Sequence, residues 1–205
     1  MNILLAHGST DARHGEQFNA LADTVSTLLD EDVGTAYLGD NALPKNATVL
    51  PLFLGQGKHV REDIPALIAV SGCRLLPPLD QYADTIADMA VGHMTKETRR
   101  INALFVLYRF AGFEKLAAAL YGRMKICSKH ALASLHSEPS VDTVLQHWQQ
   151  EDVKVISLQP MLLFEGKSMD RLRAMTEPFE ISVAPVLSEH DGFAAWIADC
   201  LREKT

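Results

Sequence analysis

This chain has few cysteines, no excess of basic charge and no long apolar run. Cys73, Cys127 and Cys200 lie far apart, with no Cys-x-x-Cys pair and no Cys/His ladder. That argues against a disulfide framework and a structural zinc site, and reads as three reduced thiols. No apolar run nears the roughly 18 residues that span a bilayer. The N-terminus opens into Asn2-Ile3-Leu4-Leu5-Ala6 without a charged leader and cleavage site. A cytoplasmic location with no membrane contact is expected. Lys and Arg number 19 against 26 Asp and Glu, a formal net charge of −7, so a nucleic-acid partner is not expected. No Gly-x-Gly-x-x-Gly follows a strand-like run, which disfavours a dinucleotide-binding enzyme.

What is present is ample for a core: 205 residues, 47% of them hydrophobic, enough for one domain or two small ones. Short apolar runs alternate with longer amphipathic ones. Ile3–Ala6, Val33–Leu38 and Val49–Leu54 read as buried strands; Glu16–Leu29, Asp63–Val70 and Tyr82–Met94 read as helices. The order recurs in the second half, with strands at Ala103–Tyr108, Ala131–Leu135 and Val155–Leu163 and helices at Phe113–Met124 and Val141–Trp148. Leu50-Pro51-Leu52-Phe53-Leu54-Gly55-Gln56-Gly57-Lys58 returns 109 residues later as Gln159-Pro160-Met161-Leu162-Leu163-Phe164-Glu165-Gly166-Lys167. Pro77-Pro78-Leu79 returns as Pro185-Val186-Leu187 at an offset of 108. The near-constant offset points to an internal duplication. The expected fold is α/β, with two pseudo-equivalent Rossmann-like halves, 1–98 and 99–205, each with a parallel sheet. Between its second and third strands the first half has only Gly39–Ala47, too short for a helical crossover. A helix lost there is expected to expose part of the sheet.

Ligands of open parallel sheets bind beyond the carboxyl ends of the strands. His7 directly follows strand one, and His59 follows strand three. If those strands are neighbours, their ends lie about 5 Å apart and both imidazoles reach one point. Imidazole is largely neutral at pH 7 and suits Fe, Co and Ni, so such a pair can hold an ion or accept protons. The alternative for each is a surface or hydrogen-bonded histidine. Gly8, Gly55 and Gly57 would let backbone approach a flat ligand. Asp63 reads equally as a proton relay with Glu62 or as a helix cap before Pro65.

These residues carry a resemblance. Leu4-Leu5-Ala6-His7-Gly8-Ser9, followed by Asp11, Arg13 and Phe18, resembles the opening of the CbiX-type sirohydrochlorin chelatases. Val49–Leu67, above all Gly57–Pro65, resembles that family's second signature, and Glu138-Pro139-Ser140 with Gln159–Phe164 its later segments. The resemblance implies a class II chelatase fold of two α/β halves with a tetrapyrrole cleft between them. It implies insertion of Co²⁺ or Fe²⁺ into sirohydrochlorin, toward cobalamin or sirohaem, with His7 and His59 as the active-site and metal-binding histidines. The metal is then a substrate, and no prosthetic group is expected. Gly8, Ser9, Gly57, Lys58, Arg61, Arg109 and Lys167 stand where a carboxylated tetrapyrrole would be met, in a monomer or homodimer. The second half has Tyr108 in place of His7 and Ser168 in place of His59, which predicts one metal site per chain.

Two other readings compete. Arg13-His14-Gly15-Glu16 spells the phosphoryl-acceptor motif of histidine phosphatases, but Ser9-Thr10-Asp11-Ala12 separate it from the strand. A non-catalytic tetrapyrrole- or metal-binding protein of the same fold is the other.

Overall fold

Asn2–Ala6 form β1, and all five residues are buried, as a parallel strand covered on both faces requires. β1 is flanked by β2 (Val33–Tyr37) and β3 (Thr48–Pro51), and the two-residue β4 (Arg74–Leu75) closes a four-stranded parallel sheet of order β2-β1-β3-β4. The second sheet repeats this order as β6-β5-β7-β8, with β5 Asn102–Leu107, β6 Lys129–Ser134, β7 Ile156–Pro160 and β8 Ile181–Val183. The register matches too: Leu5 pairs with Pro51 and Val106 with Pro160. The duplication read from the sequence is therefore a duplication of topology, with β1 and β5 in equivalent central places.

The computed structural model describes residues 1–40, 43–96 and 101–203. They fall into two units: Met1–Tyr82 with Asp191–Thr205, and Ala83–His190. The expected boundary at 98/99 lies outside the described residues, and the units do not follow the halves 1–98 and 99–205. The terminal helix of each half is counted with the other half's sheet.

In the first unit α1 (Ala12–Leu29) buries Phe18, Leu21, Ala22 and Val25, an apolar stripe at helical spacing. It packs beside α7 (Phe193–Arg202), which also touches β3. Asp11 caps α1 by accepting from the Arg13 N–H, a contact that typically stabilises a helix by about 1 kcal/mol. On the other face Ile3, Leu5, Ala36 and Val49 pack with Ile64 of α2 (Ile64–Ser71) and with Leu43 and Ala47 of the β2–β3 connection. The short connection thus does not bare the described sheet: its own apolar side chains fill the space of the missing helix. Asn41 and Ala42 lie outside the described residues.

In the second unit α3 (Ala83–Met94) packs against α4 (Glu114–Arg123), so α3 and α4 stand as α7 and α1 do in the first. The opposite face carries Leu104, Val106, Leu145, Trp148, Met169 and Leu172, which join the sheet to α5 (Val141–Gln150) and α6 (Lys167–Thr176). α5 is the helix without a counterpart in the first unit.

The strands are shorter than the apolar runs that announce them. Each third strand ends on proline, Pro51 or Pro160, after which a single N–H, of Leu52 or Met161, still bonds to the central strand. The apolar residues beyond, to Leu54 and Leu163, turn away as the loops above the sheets. Val155, expected within β7, precedes it in a left-handed conformation (φ 51°) and is 76% exposed.

Candidate functional site

The end of β1 delivers His7, and the loop after β3 delivers His59. Gly8 turns the chain with φ 92°, and a Cβ there would stand 3.4 Å from the Tyr37 ring. The loop Leu52–Lys58 is held from below: the Gln56 amide donates to the buried Asp80 carboxylate at 2.6 Å, and Asp80 N–H donates to Phe53 C=O. His59 opens a wide helical turn, His59–Asp63, in which Ile64 N–H bonds back five residues to His59 C=O. Turns of this π-type are frequent at functional sites because they re-aim one side chain within a helix.

The two imidazoles meet. His7 Nε2 lies 3.1 Å from His59 Nε2, with the rings edge to face, centroids 4.6 Å apart and planes at 76°. Each ring is held at its far nitrogen. His59 Nδ1 lies 2.6 Å from Asp63 Oδ2, and His7 Nδ1 lies 3.1 Å from Gly8 C=O. Asp63 makes no side-chain capping bond to α2, and its carboxylate is taken up by His59 instead.

A hydrogen count shows what this arrangement can do. Each of the three contacts, to Gly8, between the Nε2 atoms and to Asp63, needs one hydrogen. Two neutral imidazoles carry two. With both outer hydrogen bonds made, two Nε2 lone pairs face each other, which is favourable only with a proton or a cation between them. With nitrogen–metal distances of about 2.1 Å, the 3.1 Å separation corresponds to an angle of about 95° at an ion. Among the described residues no group of three or more His, Cys, Asp or Glu could hold a metal. The pair offers two protein ligands and no closed cage.

The other candidates in the first unit surround this pair in sequence. Ser9 Oγ accepts from the Asp11 N–H, and Gly57 C=O accepts from the Arg61 N–H. Lys58 and Arg61 are exposed and have no acidic partner among the described residues. Arg109 and Lys167 belong to the second unit, exposed just past β5 and at the first position of α6. Arg13–Glu16 lie inside α1, where the Arg13 guanidinium forks onto Asp11 at 3.0 and 2.7 Å. They are not at a strand end, as a phosphoryl-accepting histidine requires. His14 is partly buried, and burial holds its pKa below the usual value, opposed by Asp11 and reinforced by His7. Sequence reasoning missed the support from Gln56 and Asp80. For Asp63 the four-residue spacing from His59 was the signal available.

The family model for CbiX matches residues 1–104 and 109–204. The chain belongs to the CbiX family. No curated protein matches the sequence. Among solved structures, a CbiX described as the terminal enzyme for biosynthesis of siroheme in denitrifying bacteria is 20% identical, with a TM-score of 0.74 over 100% of both chains. SirB from Bacillus subtilis with Fe³⁺ is 13% identical, with a TM-score of 0.74 over 99% of this chain and 95% of that one. The sirohydrochlorin chelatase SirB from Bacillus subtilis subspecies spizizenii, in complex with cobalt, is 16% identical, with a TM-score of 0.72 over the same shares. At these identities the shared property is the fold. No described helix of this CbiX-family chain is long and apolar enough to cross a membrane.

Proposed function

We propose that this protein inserts a divalent metal ion, Co²⁺ or Fe²⁺, into sirohydrochlorin, with His7 and His59 as ligands to the ion and acceptors of the departing protons. The single observation that supports the reading best is the convergence of the two Nε2 atoms at 3.1 Å with both far nitrogens already engaged. Family membership and the fold shared with SirB in complex with cobalt and with Fe³⁺ support it independently.

Insertion replaces two pyrrole N–H hydrogens by one M²⁺ and releases two protons. On this reading the imidazole pair first holds the incoming ion through both Nε2 lone pairs. As pyrrole nitrogens take over coordination, those lone pairs are freed, and there are as many of them as protons to accept. Asp63 and Gly8 C=O keep the lone pairs aimed inward by fixing the Nδ1–H tautomers. Lys58 and Arg61 supply positive charge for the macrocycle's carboxylates, which an acidic chain must meet locally; Arg109 and Lys167 offer the same charge on the second unit. Gly8, Ser9 and Gly57 supply backbone and hydroxyl contacts to the flat ligand.

An anaerobic spectral assay of metal insertion tests the assignment. His7→Ala and His59→Ala should each lose about 10²–10⁴-fold in insertion rate. The double variant should be little worse than either, because groups acting as a unit are not additive. Folded variants that insert metal at the parental rate would exclude the pair.

A further inference from the structure

At the carboxyl end of the second sheet, where the first unit has its histidine pair, stands a different cluster. Tyr108 and Arg109 follow β5, His136 follows β6, and Arg171 lies one turn after Lys167 on α6. The Tyr108 and His136 rings meet at 4.5 Å, and Arg171 Nη1 lies 3.2 Å from His136 Nδ1. The guanidinium can only donate, so His136 accepts at Nδ1 and carries its hydrogen on Nε2, which becomes a second donor. Burial, then Arg171 and Arg109, hold the His136 pKa below its usual value, so the ring stays neutral in that role.

The charges here are left unpaired. Acids outnumber bases in this chain, 26 to 19, and most of its described arginines near carboxylates use them. Arg13 pairs with Asp11, Arg123 with Asp84 and Asp88, Arg173 with Glu165 and Arg202 with Asp199. Among the described residues neither Arg109 nor Arg171 has an acidic partner. Arg171 spends one N–H on His136 and keeps the rest of its fork for an anion. The Tyr108 ring, 39% exposed, adds a flat apolar surface beside the cations, which suits a carboxylated aromatic ring better than a small ion.

We propose that Arg171, Arg109, His136 and Tyr108 form a site on the second unit for the carboxylates of a tetrapyrrole, at the strand end where the first unit carries its histidine pair. This rests on the tetrapyrrole reading above. Arg171 is the residue that the sequence did not single out, because a lone arginine in an amphipathic helix reads as a solvated face.

The test is fluorescence titration of the full chain with uroporphyrin I, a metal-free octacarboxylated porphyrin, at low salt. Arg171→Gln and Arg109→Gln should each raise Kd about ten- to a hundredfold, as loss of a charged hydrogen bond does. Arg171→Lys, which keeps the charge without the fork, should fall between. Arg173→Gln, an exposed arginine already tied to Glu165, should bind as the parent does. The proposal is overturned if both glutamine variants bind within twofold of the parent, or if Arg173→Gln weakens binding equally, since net charge alone would then be at work. Citrate displacing the porphyrin at concentrations comparable to the porphyrin's own Kd would overturn the tetrapyrrole as the ligand. Parent protein that binds through Arg171 yet inserts no metal would sink the chelatase reading and leave this one standing. Insertion by the parent together with arginine-independent binding would do the reverse.

Discussion

Replacing Asp63 by asparagine separates a role in aiming the metal-directed pair from a role in folding. The Asp63 carboxylate accepts from His59 Nδ1 at 2.6 Å, and both side chains are about two-fifths exposed, at 41% and 44%. A hydrogen bond this wet contributes no more than about 1 kcal/mol to stability, so the unfolding midpoint should barely move. The consequence for the pair is larger. A carboxylate has no hydrogen to give and admits only the Nδ1–H tautomer, whereas the amide of the substituted side chain can present either oxygen or NH₂. With NH₂ presented, the His59 hydrogen moves to Nε2 and points at His7 Nε2, 3.1 Å away, blocking the position where an ion would sit. Loss of such an outer partner commonly lowers metal affinity or activity by about 10–100-fold. The expected result is insertion of Co²⁺ into sirohydrochlorin reduced by that factor, with Tm close to the parental value. Nitrogen-15 NMR of the His59 ring should show loss of the single Nδ1–H form. Parental insertion rates in Asp63→Asn, with the Nδ1–H tautomer unchanged, would refute the reasoning.

Three further substitutions probe the fold. Gly8→Ala places a Cβ at φ 92° and 3.4 Å from the Tyr37 ring, which should lower urea stability by about 1–2 kcal/mol and slow insertion by displacing His7. Val155→Asn relieves an exposed β-branched residue at φ 51° and should raise the unfolding free energy by about 1 kcal/mol, read as a higher urea midpoint at unchanged m-value. For His14 the folded pKa is lowered, chiefly by burial, so the neutral ring is the one that the fold favours. That stability is fully present above the unfolded value of about 6.5 and is lost as pH falls through the folded value. His14→Gln should therefore show a smaller drop in Tm between pH 7.5 and pH 5.5 than the parent; an equal drop would show that other groups carry the acid loss.

The meeting of His7 and His59 was legible across 52 residues because parallel topology leaves few choices. Two buried apolar runs, each followed by glycine and histidine, fall on adjacent strands in the commonest order. The limits of the strands were less legible, since Leu52–Leu54 and Met161–Leu163 are as apolar as the strands they follow. Hydrogen bonding to the central strand ends one residue beyond the proline, while apolarity continues into the loops above the sheet. The exchange of α3 and α7 was not legible at all. An amphipathic pattern tells which side of a helix is buried and carries nothing about which sheet buries it. Asp63 stayed ambiguous for a related reason: an acidic residue before Ile64-Pro65 satisfies the pattern of a helix cap as well as that of a proton relay with Glu62. The structure shows no cap bond from it and a contact with His59 Nδ1, which the four-residue spacing on one helical face allows.

The number of ligands bears on the proposed chemistry as much as their identity does. A resident metal site closes three or four protein ligands around its ion, and the pyrrole nitrogens of an incoming macrocycle would have to strip them one by one. Two imidazoles at an angle of about 95° leave the rest of the coordination sphere to water and to the macrocycle. On the proposed reading, an ion would be held firmly enough to be placed and loosely enough to leave. Duplicating that pair in the second unit would add a competing sink for the metal without adding a pyrrole proton to remove. Tyr108 and Ser168 at the equivalent positions avoid it. On the proposed reading they also leave that strand end to Arg109 and Arg171, as a ligand carrying carboxylates around its rim would require of a chain whose own net charge repels it.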